Sequence, residues 1–363
     1  MGQKVSFQGA LNFTKLTVYL ARTWPPSITA SKWETTKYHI VWCLSFLSVL
    51  CLLVPLLFSI SQFYADSFVV TQSACFVGTT SNVMIKMIVY RIHFERTQTL
   101  IEEMEVFLKN AQRHEIIVCR RYLDRCASFH FFISGLNYLT TTMIVCMPML
   151  VDDQPLPTGA VYPFSADNGV VMLMAYLHQT LVGFQCSSGV TIDCQAALML
   201  WFAGARLEML ADEVKHVNDI GGLEIVVRKH RELIGYAVDV SDTMAYIAFA
   251  SSMACGVAAI MSSLQLFGFG PMALIATMNL FICAWPADNL INVVAVYDTS
   301  WVDMSLNMMK NILIFLQRCQ RPITVSIGGF LPSLSLTSYA SFLSAIFSYF
   351  TTLRLIVDSD GDK

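Results

Sequence analysis

The chain has 363 residues, 55% of them hydrophobic and only 13% charged, with a net charge of −3 and a mean hydropathy of +0.56. Soluble domains carry about 25% charged residues, so this composition excludes one ordinary soluble core. The slight negative charge argues against a nucleic-acid partner, and no Gly-rich phosphate loop supports a nucleotide site. Residues 1–38 are polar and mildly basic and lack a cleavable signal peptide, so the first apolar run is expected to serve as a mature span. "MGQKVS" matches the loose myristoylation pattern through Gly2 and Ser6, a pattern short enough to arise by chance.

Residues 39–60 contain no Asp, Glu, Lys or Arg, and their length suffices to cross about 30 Å of hydrocarbon. A second span is predicted over 67–90, with Lys86 near its end and placed to snorkel. The third covers 128–150. The fourth lies within 169–202, long enough to tilt strongly or project beyond the bilayer. Residues 243–287 form one uncharged stretch that "GFGP" at 268–271 divides, giving spans over 243–267 and 272–296. The seventh covers 329–354. The 11 cysteines are scattered singly. Cys43, Cys51, Cys75, Cys146, Cys255 and Cys283 fall in apolar windows, where they read as small buried hydrophobes rather than a disulfide framework. There is no CxxC pair and no His/Cys cluster of zinc type, so neither a metal nor another cofactor is expected.

The connections set the orientation. Five Lys/Arg precede span one, seven lie between spans two and three, five between four and five, and three between six and seven. The alternate connections, 61–66, 151–168 and 268–271, hold none, and the middle one carries Asp152, Asp153 and Asp167. Positive residues accumulate on the cytoplasmic side, so the N-terminus is expected inside and the C-terminus outside, the reverse of a G-protein-coupled receptor. The sequon at Asn12 then lies in the cytosol. The predicted architecture is an all-α membrane protein: a cytoplasmic segment over 1–38, a seven-helix domain over 39–354, and a short extracellular acidic tail over 355–363.

Three basic cytoplasmic segments, 91–126, 206–240 and 302–320, have amphipathic helical spacing. They either extend the transmembrane helices or pack together below the membrane. A "GG" break is expected at Gly221 and Gly222.

On a helical wheel, Thr337, Ser338, Ser341, Ser344, Ala345, Ser348, Thr351 and Thr352 of the last span fall within one sector of about 140°. The opposite sector holds Tyr339, Phe342, Leu343, Ile346, Phe347, Tyr349, Phe350 and Leu353. A small hydroxylated face suits close helix packing, and it equally suits a water-facing pore wall. Asp358, Asp360 and Asp362 follow it, and carboxylates near an entrance favour cations.

The C-terminal third resembles the ending of insect odorant receptors. Tyr297 and Trp301 stand four apart, Gln320-Arg321-Pro322 follows an amphipathic helix, and then come "LSL-T" and "SYFT-L". The related gustatory receptors end instead in a Gln-Phe motif that is absent here. The resemblance implies an odorant-gated, non-selective cation channel, a heterotetramer of tuning subunits and the odorant receptor co-receptor in the plasma membrane of olfactory sensory neurons. It implies no catalysis. It also implies that the last helix lines the pore, which points to Ser348, Thr352, Leu355 and Ile356, and that the cytoplasmic segments anchor the subunits together.

By the same resemblance, a small volatile binds in the outer half of the bundle among spans two, three, four and six. The candidate contacts are Phe68, Gln72, Phe76, Tyr138, Thr141, Thr142, Val145, Met172, Ala175, His178, Met278 and Phe281, with Cys75, Gln179 and Ile282 beside them. An apolar, aromatic-lined cavity suits such a ligand, and the same residues suit ordinary bundle packing. His178 is either a ligand contact or a neutral imidazole bonded to Gln179 or a backbone carbonyl. Asp193, deeper in span four, is expected to pair with a basic residue. A homomeric gustatory-type channel and a multi-pass transporter are the competing readings, and no internal repeat supports the transporter.

Overall fold

The computed structural model describes residues 7–150, 154–164, 168–217, 219–264, 270–292, 309–310, 317, 322–327 and 333–361. Within these, the chain is built of helices. The first is α1 (Phe7–Thr17), followed by α2 (Lys32–Gln62), α3 (Ser67–Ile92), α4 (Phe94–Asn110) and α5 (Arg113–Cys146). After a connection come α6 (Gly169–Val190), α7 (Ile192–Val214), α8 (Ile220–Leu264), α9 (Gly270–Asn292) and α10 (Leu336–Gly361). Five stretches are long and apolar enough to cross a membrane: Lys32–Gln62, Arg113–Met149, Gly169–Val214, Ile220–Ile260 and Ala273–Asn292. The remaining two predicted spans correspond to α3 and α10.

Local sequence signals set several helix starts. Ser31 and Glu34 form a capping box before α2, and Gln112 and Glu115 form one before α5. Each satisfies backbone N–H groups that the first turn leaves open. The break between α6 and α7 falls at Thr191, whose hydroxyl donates to Ser188 O at 2.8 Å. Span four is therefore two helices, and α7 forms the middle of the core: Ile192 through Ala205 are buried without interruption.

Two of the three basic segments can be followed in the described residues. Residues 113–126 extend α5, and the 206–240 segment is the end of α7 and the start of α8. These extensions also pack together with α4. Arg206 pairs with Glu103 and lies 5.1 to 5.8 Å from the rings of Phe107, Phe202 and Tyr236. Arg96 reaches Asp239 and, at 3.2 Å, Asp242. The turn between α7 and α8 comes before Gly221 and Gly222, which already lie in the first turn of α8. Asp219 Oδ1 there accepts from Gly222 N at 3.1 Å. Apart from residues 309–310 and 317, segment 302–320 lies outside the described residues, as do Gly268 and Phe269 of "GFGP".

Two sequence expectations need correction. Lys86 does not snorkel: it is fully buried and pairs with Asp193 at 2.8 Å. Asp193 thus has the basic partner expected for it, and that partner is the lysine of α3. Cys43 and Cys51 face outward and Cys146 is half-buried, while Cys75, Cys255 and Cys283 are buried as read. Part of the N-terminal segment packs on the helix bundle. Residues 17–23 thread against α5, α6 and α7, with Tyr138 Oη and Thr191 Oγ1 donating to Thr17 O and Ala21 N donating to Ser188 Oγ at 3.0 Å.

Helix α10 resolves the question of its two faces within the chain. Tyr339 and Phe342 pack against the main core, and Tyr339 Oη donates to Thr277 O at 3.2 Å. Thr337, Ser341, Ser344, Ser348, Thr351 and Thr352 are exposed on the surface of the chain. Three of these hydroxyls donate within the helix: Ser341 to Thr337 O, and Thr351 and Thr352 to Ser348 O at 2.9 Å. The hydroxylated face therefore does not pack against the other described helices of its own chain.

Candidate functional site

A cavity of about 140 Å³ lies between α3, α5, α6, α8 and α9. Small residues create it. Gly78, Gly183, Ala254, Ala258 and Ala276 stand on its walls, where larger side chains would fill the space. A Cβ on Gly78 would come within 3.2 Å of Val257 Cγ1, and one on Gly183 within 3.2 Å of Thr141 Cγ2. Phe76, Ile144, Val145, Val257 and Ile275 give it an apolar body. Polar groups converge at one end, with Asn82 from α3, Ser251 from α8 and Asn279 from α9 around Asp193 of α7.

That end is closed by a buried ionic cluster. Lys86 Nζ donates to Asp193 Oδ2, and Ser251 Oγ donates to both carboxylate oxygens at 3.0 and 3.1 Å. Each group compensates the desolvation of the others, which is the condition for burying charge at all.

The connection over 154–164 covers the other end. Leu156, Pro157, Thr158 and Ala160 are buried, and Pro157 and Thr158 line the cavity. Gln179 pins this loop. Its Oε1 accepts from Thr158 N at 2.9 Å and Thr158 Oγ1 at 3.0 Å, and its Nε2 donates to Tyr162 Oη at 3.1 Å. Val161 N donates to Pro55 O of α2 at 3.3 Å. Gln179→Leu is expected to leave these groups unpaired and to cost about 1–3 kcal/mol, with amide exchange accelerating across 154–164. Unchanged exchange there would show that Gln179 does not hold the loop.

Of the predicted contacts, the structure brings Phe76, Thr141 and Val145 together on the cavity wall, with Cys75 and Gln179 beside them. Gln72 lies under the loop, its Oε1 3.4 Å from where a Cβ on Gly159 would sit. Ala175 is buried one turn before Gln179, while Met172 and Thr142 are exposed. Tyr138 turns towards Thr17. His178 Nε2 lies 3.1 Å from Ser48 O of α2, the backbone-carbonyl arrangement weighed above. Phe281 stacks among Phe129, Trp285 and Tyr339, and Met278 packs on the same core. The side chains of Phe68, Leu355 and Ile356 lie outside the described residues.

Sequence reasoning missed the contribution of α8, the loop residues Pro157 and Thr158, and the two asparagines. Asn82 and Asn279 did leave a signal, since uncharged amides inside apolar spans are costly unless they face the interior. The loop left none.

A family model described as "7tm Odorant receptor" matches residues 67–347. The chain belongs to the odorant receptor family. Among curated relatives, Odorant receptor 10 of Aedes albopictus is 21% identical, over 65% of this chain and 70% of that one. Odorant receptor 13a of Drosophila melanogaster is 23% identical, over 82% and 83% respectively. The fold matches the solved insect olfactory receptor OR5 from Machilis hrabei with a TM-score of 0.78 at 16% identity, covering 95% of this chain and 97% of that one. The same receptor in complex with eugenol matches with a TM-score of 0.76 at 15% identity, over 96% and 98%. As an odorant receptor the chain is a receptor rather than an enzyme, and its long apolar helices are those of a membrane protein.

Proposed function

We propose that this odorant receptor is the ligand-binding, tuning subunit of a heteromeric, odorant-gated, non-selective cation channel. It assembles with the odorant receptor co-receptor in the plasma membrane of olfactory sensory neurons, N-terminus inside. The observation that carries the reading is the cavity, a largely apolar space under a pinned loop, of a size for a small volatile. A receptor of the same fold has been solved with eugenol bound. In this reading Phe76, Thr141, Val145 and Gln179 touch the odorant. Several copies of α10 surround a central pore with their hydroxylated faces, through Ser348, Thr352, Leu355 and Ile356. That role accounts for a small polar face left uncovered by the described helices of its own chain, because hydroxyls tolerate hydrated cations without holding them tightly.

The test is whole-cell current from cells expressing this chain alone and with a co-receptor, across a panel of volatiles. Odorant-evoked cation current only in the co-expressing cells is the expected result. Robust current from the chain alone would replace the heteromer with a self-sufficient channel, and silence in both at verified surface expression would refute the channel reading.

A further inference from the structure

The cavity is not uniformly apolar, and its polar end contains more hydrogen-bonding capacity than the protein uses. Asn82 is 8% exposed and Asn279 7% exposed, and both line the cavity. Asn82 Oδ1 has no hydrogen-bond partner among the described residues, and Asn279 lines the same cavity. Buried polar groups left in this state are rare in folded proteins and ask for an explanation.

Their placement is not independent. Asn82 precedes Lys86 by four residues on α3, and Asn279 precedes Cys283 by four on α9, so each shares a helix face with its successor. Lys86 and Cys283 both lie against Asp193. On α3 and α9 the cavity-lining residues run from Cys75 to Asn82 and from Ile275 to Asn279, all on the N-terminal side of that cluster. Each amide therefore stands one helical turn from the same ionic cluster, on the side where the cavity opens. Lys86 Nζ donates to Asp193, and Ser251 Oγ donates to both of its carboxylate oxygens. Asn82 Oδ1 has no such partner among the described residues.

We infer that this receptor selects small hydroxyl-bearing volatiles, alcohols and phenols, whose O–H docks between Asn82 and Asn279. The inference rests on the cavity being the odorant site. A hydroxyl is the group that fits, because it donates to the open Oδ1 of Asn82 and accepts from an amide N–H at once. An ether oxygen can only accept and a hydrocarbon can do neither, so both leave Asn82 Oδ1 unsatisfied. The molecule's apolar part then lies along Phe76, Val145, Val257 and Ile275, towards the loop. The cavity holds on the order of ten non-hydrogen atoms by comparison with the space one water needs.

Two triplets matched in size test this: 4-methylphenol, methoxybenzene and ethylbenzene, and 1-hexanol, methyl pentyl ether and heptane. Each is titrated by thermal stabilisation of the purified full chain and by current in co-receptor-expressing cells. The hydroxyl compound is expected to be about five- to ten-fold more potent than its ether and hydrocarbon partners in each triplet. Asn82→Leu should collapse that ratio to within about two-fold, and Asn279→Leu should act in the same direction. A hydroxyl preference in binding without current would sink the channel reading and leave this inference standing. Current without hydroxyl preference would do the reverse. Equal potency across each triplet, an undiminished ratio in the folded Asn82→Leu variant, or no stabilisation by any of the six compounds would overturn the inference.

Discussion

Lys86→Met is expected to abolish surface expression or lower it several-fold, with a large fall in thermal stability. Lys86 and Asp193 are both fully buried and pair at 2.8 Å, so the substitution leaves a carboxylate in the bundle without a cation among the described residues, held by Ser251 and Cys283. Removing one partner of a buried pair costs about 3–5 kcal/mol, a large part of the stability of a typical domain. The converse change, Asp193→Leu, strands the ammonium and should be equally damaging. The double variant Lys86→Met/Asp193→Leu removes both charges and should recover much of the loss, because an apolar pair of similar volume is often no less stable. Thermal unfolding of the detergent-solubilised chain measures all three. Wild-type stability in the single variants would mean that the pair is not the buried, mutually dependent cluster described here.

Gly189→Val is the second change expected to act severely. Gly189 lies on α6 where that helix meets α3, and a Cβ there would come within 2.6 Å of Val83 Cγ2 and nearer still to Cγ1. Val83 is fully buried and β-branched, with one strongly preferred rotamer in a helix, so it cannot swing aside. Overpacking by a single methyl costs about 1–3 kcal/mol, and the valine adds two more carbons, which should separate α3 from α6 and disturb the cavity between them. Gly135→Ala is the control. Nothing lies within 4 Å of a Cβ at that position, and replacing a mid-helix glycine by alanine should stabilise by about 0.5–1 kcal/mol. Thermostability and surface labelling of the two variants should move in opposite directions. If both behaved alike, the close approach of α6 to α3 would not be what demands glycine at 189.

The two predictions concern features that the sequence displayed unequally. Gly189 is one of 18 glycines and nothing in its neighbours marks it. Asp193 announced itself as a charge within an apolar span, and its need for a cation followed from desolvation alone. Which cation answered it depended on α3 and α7 lying side by side. The position of Lys86 near the end of a predicted span favoured snorkelling, and only the facing carboxylate made burial the lower-energy choice. His178 was equally visible as an ionisable group, and the structure turns it to Ser48 O of α2 rather than to the cavity.

What the sequence determined by itself were the properties written along one helix at a time. Apolar length placed the spans because 30 Å of hydrocarbon requires about 20 residues whatever their partners are. Helical periodicity separated the hydroxylated and aromatic faces of α10 because side-chain direction follows from the 3.6-residue repeat. What only the tertiary structure decided was the space between helices. The cavity exists where Gly78, Gly183, Ala254 and Ala276 from four different helices happen to face one another, and its cover is a loop with no periodicity to read. Its polar end combines Asn82, Asn279 and Asp193 from α3, α9 and α7. Those residues are up to 197 positions apart in a 363-residue chain, and packing, not spacing, brings them together.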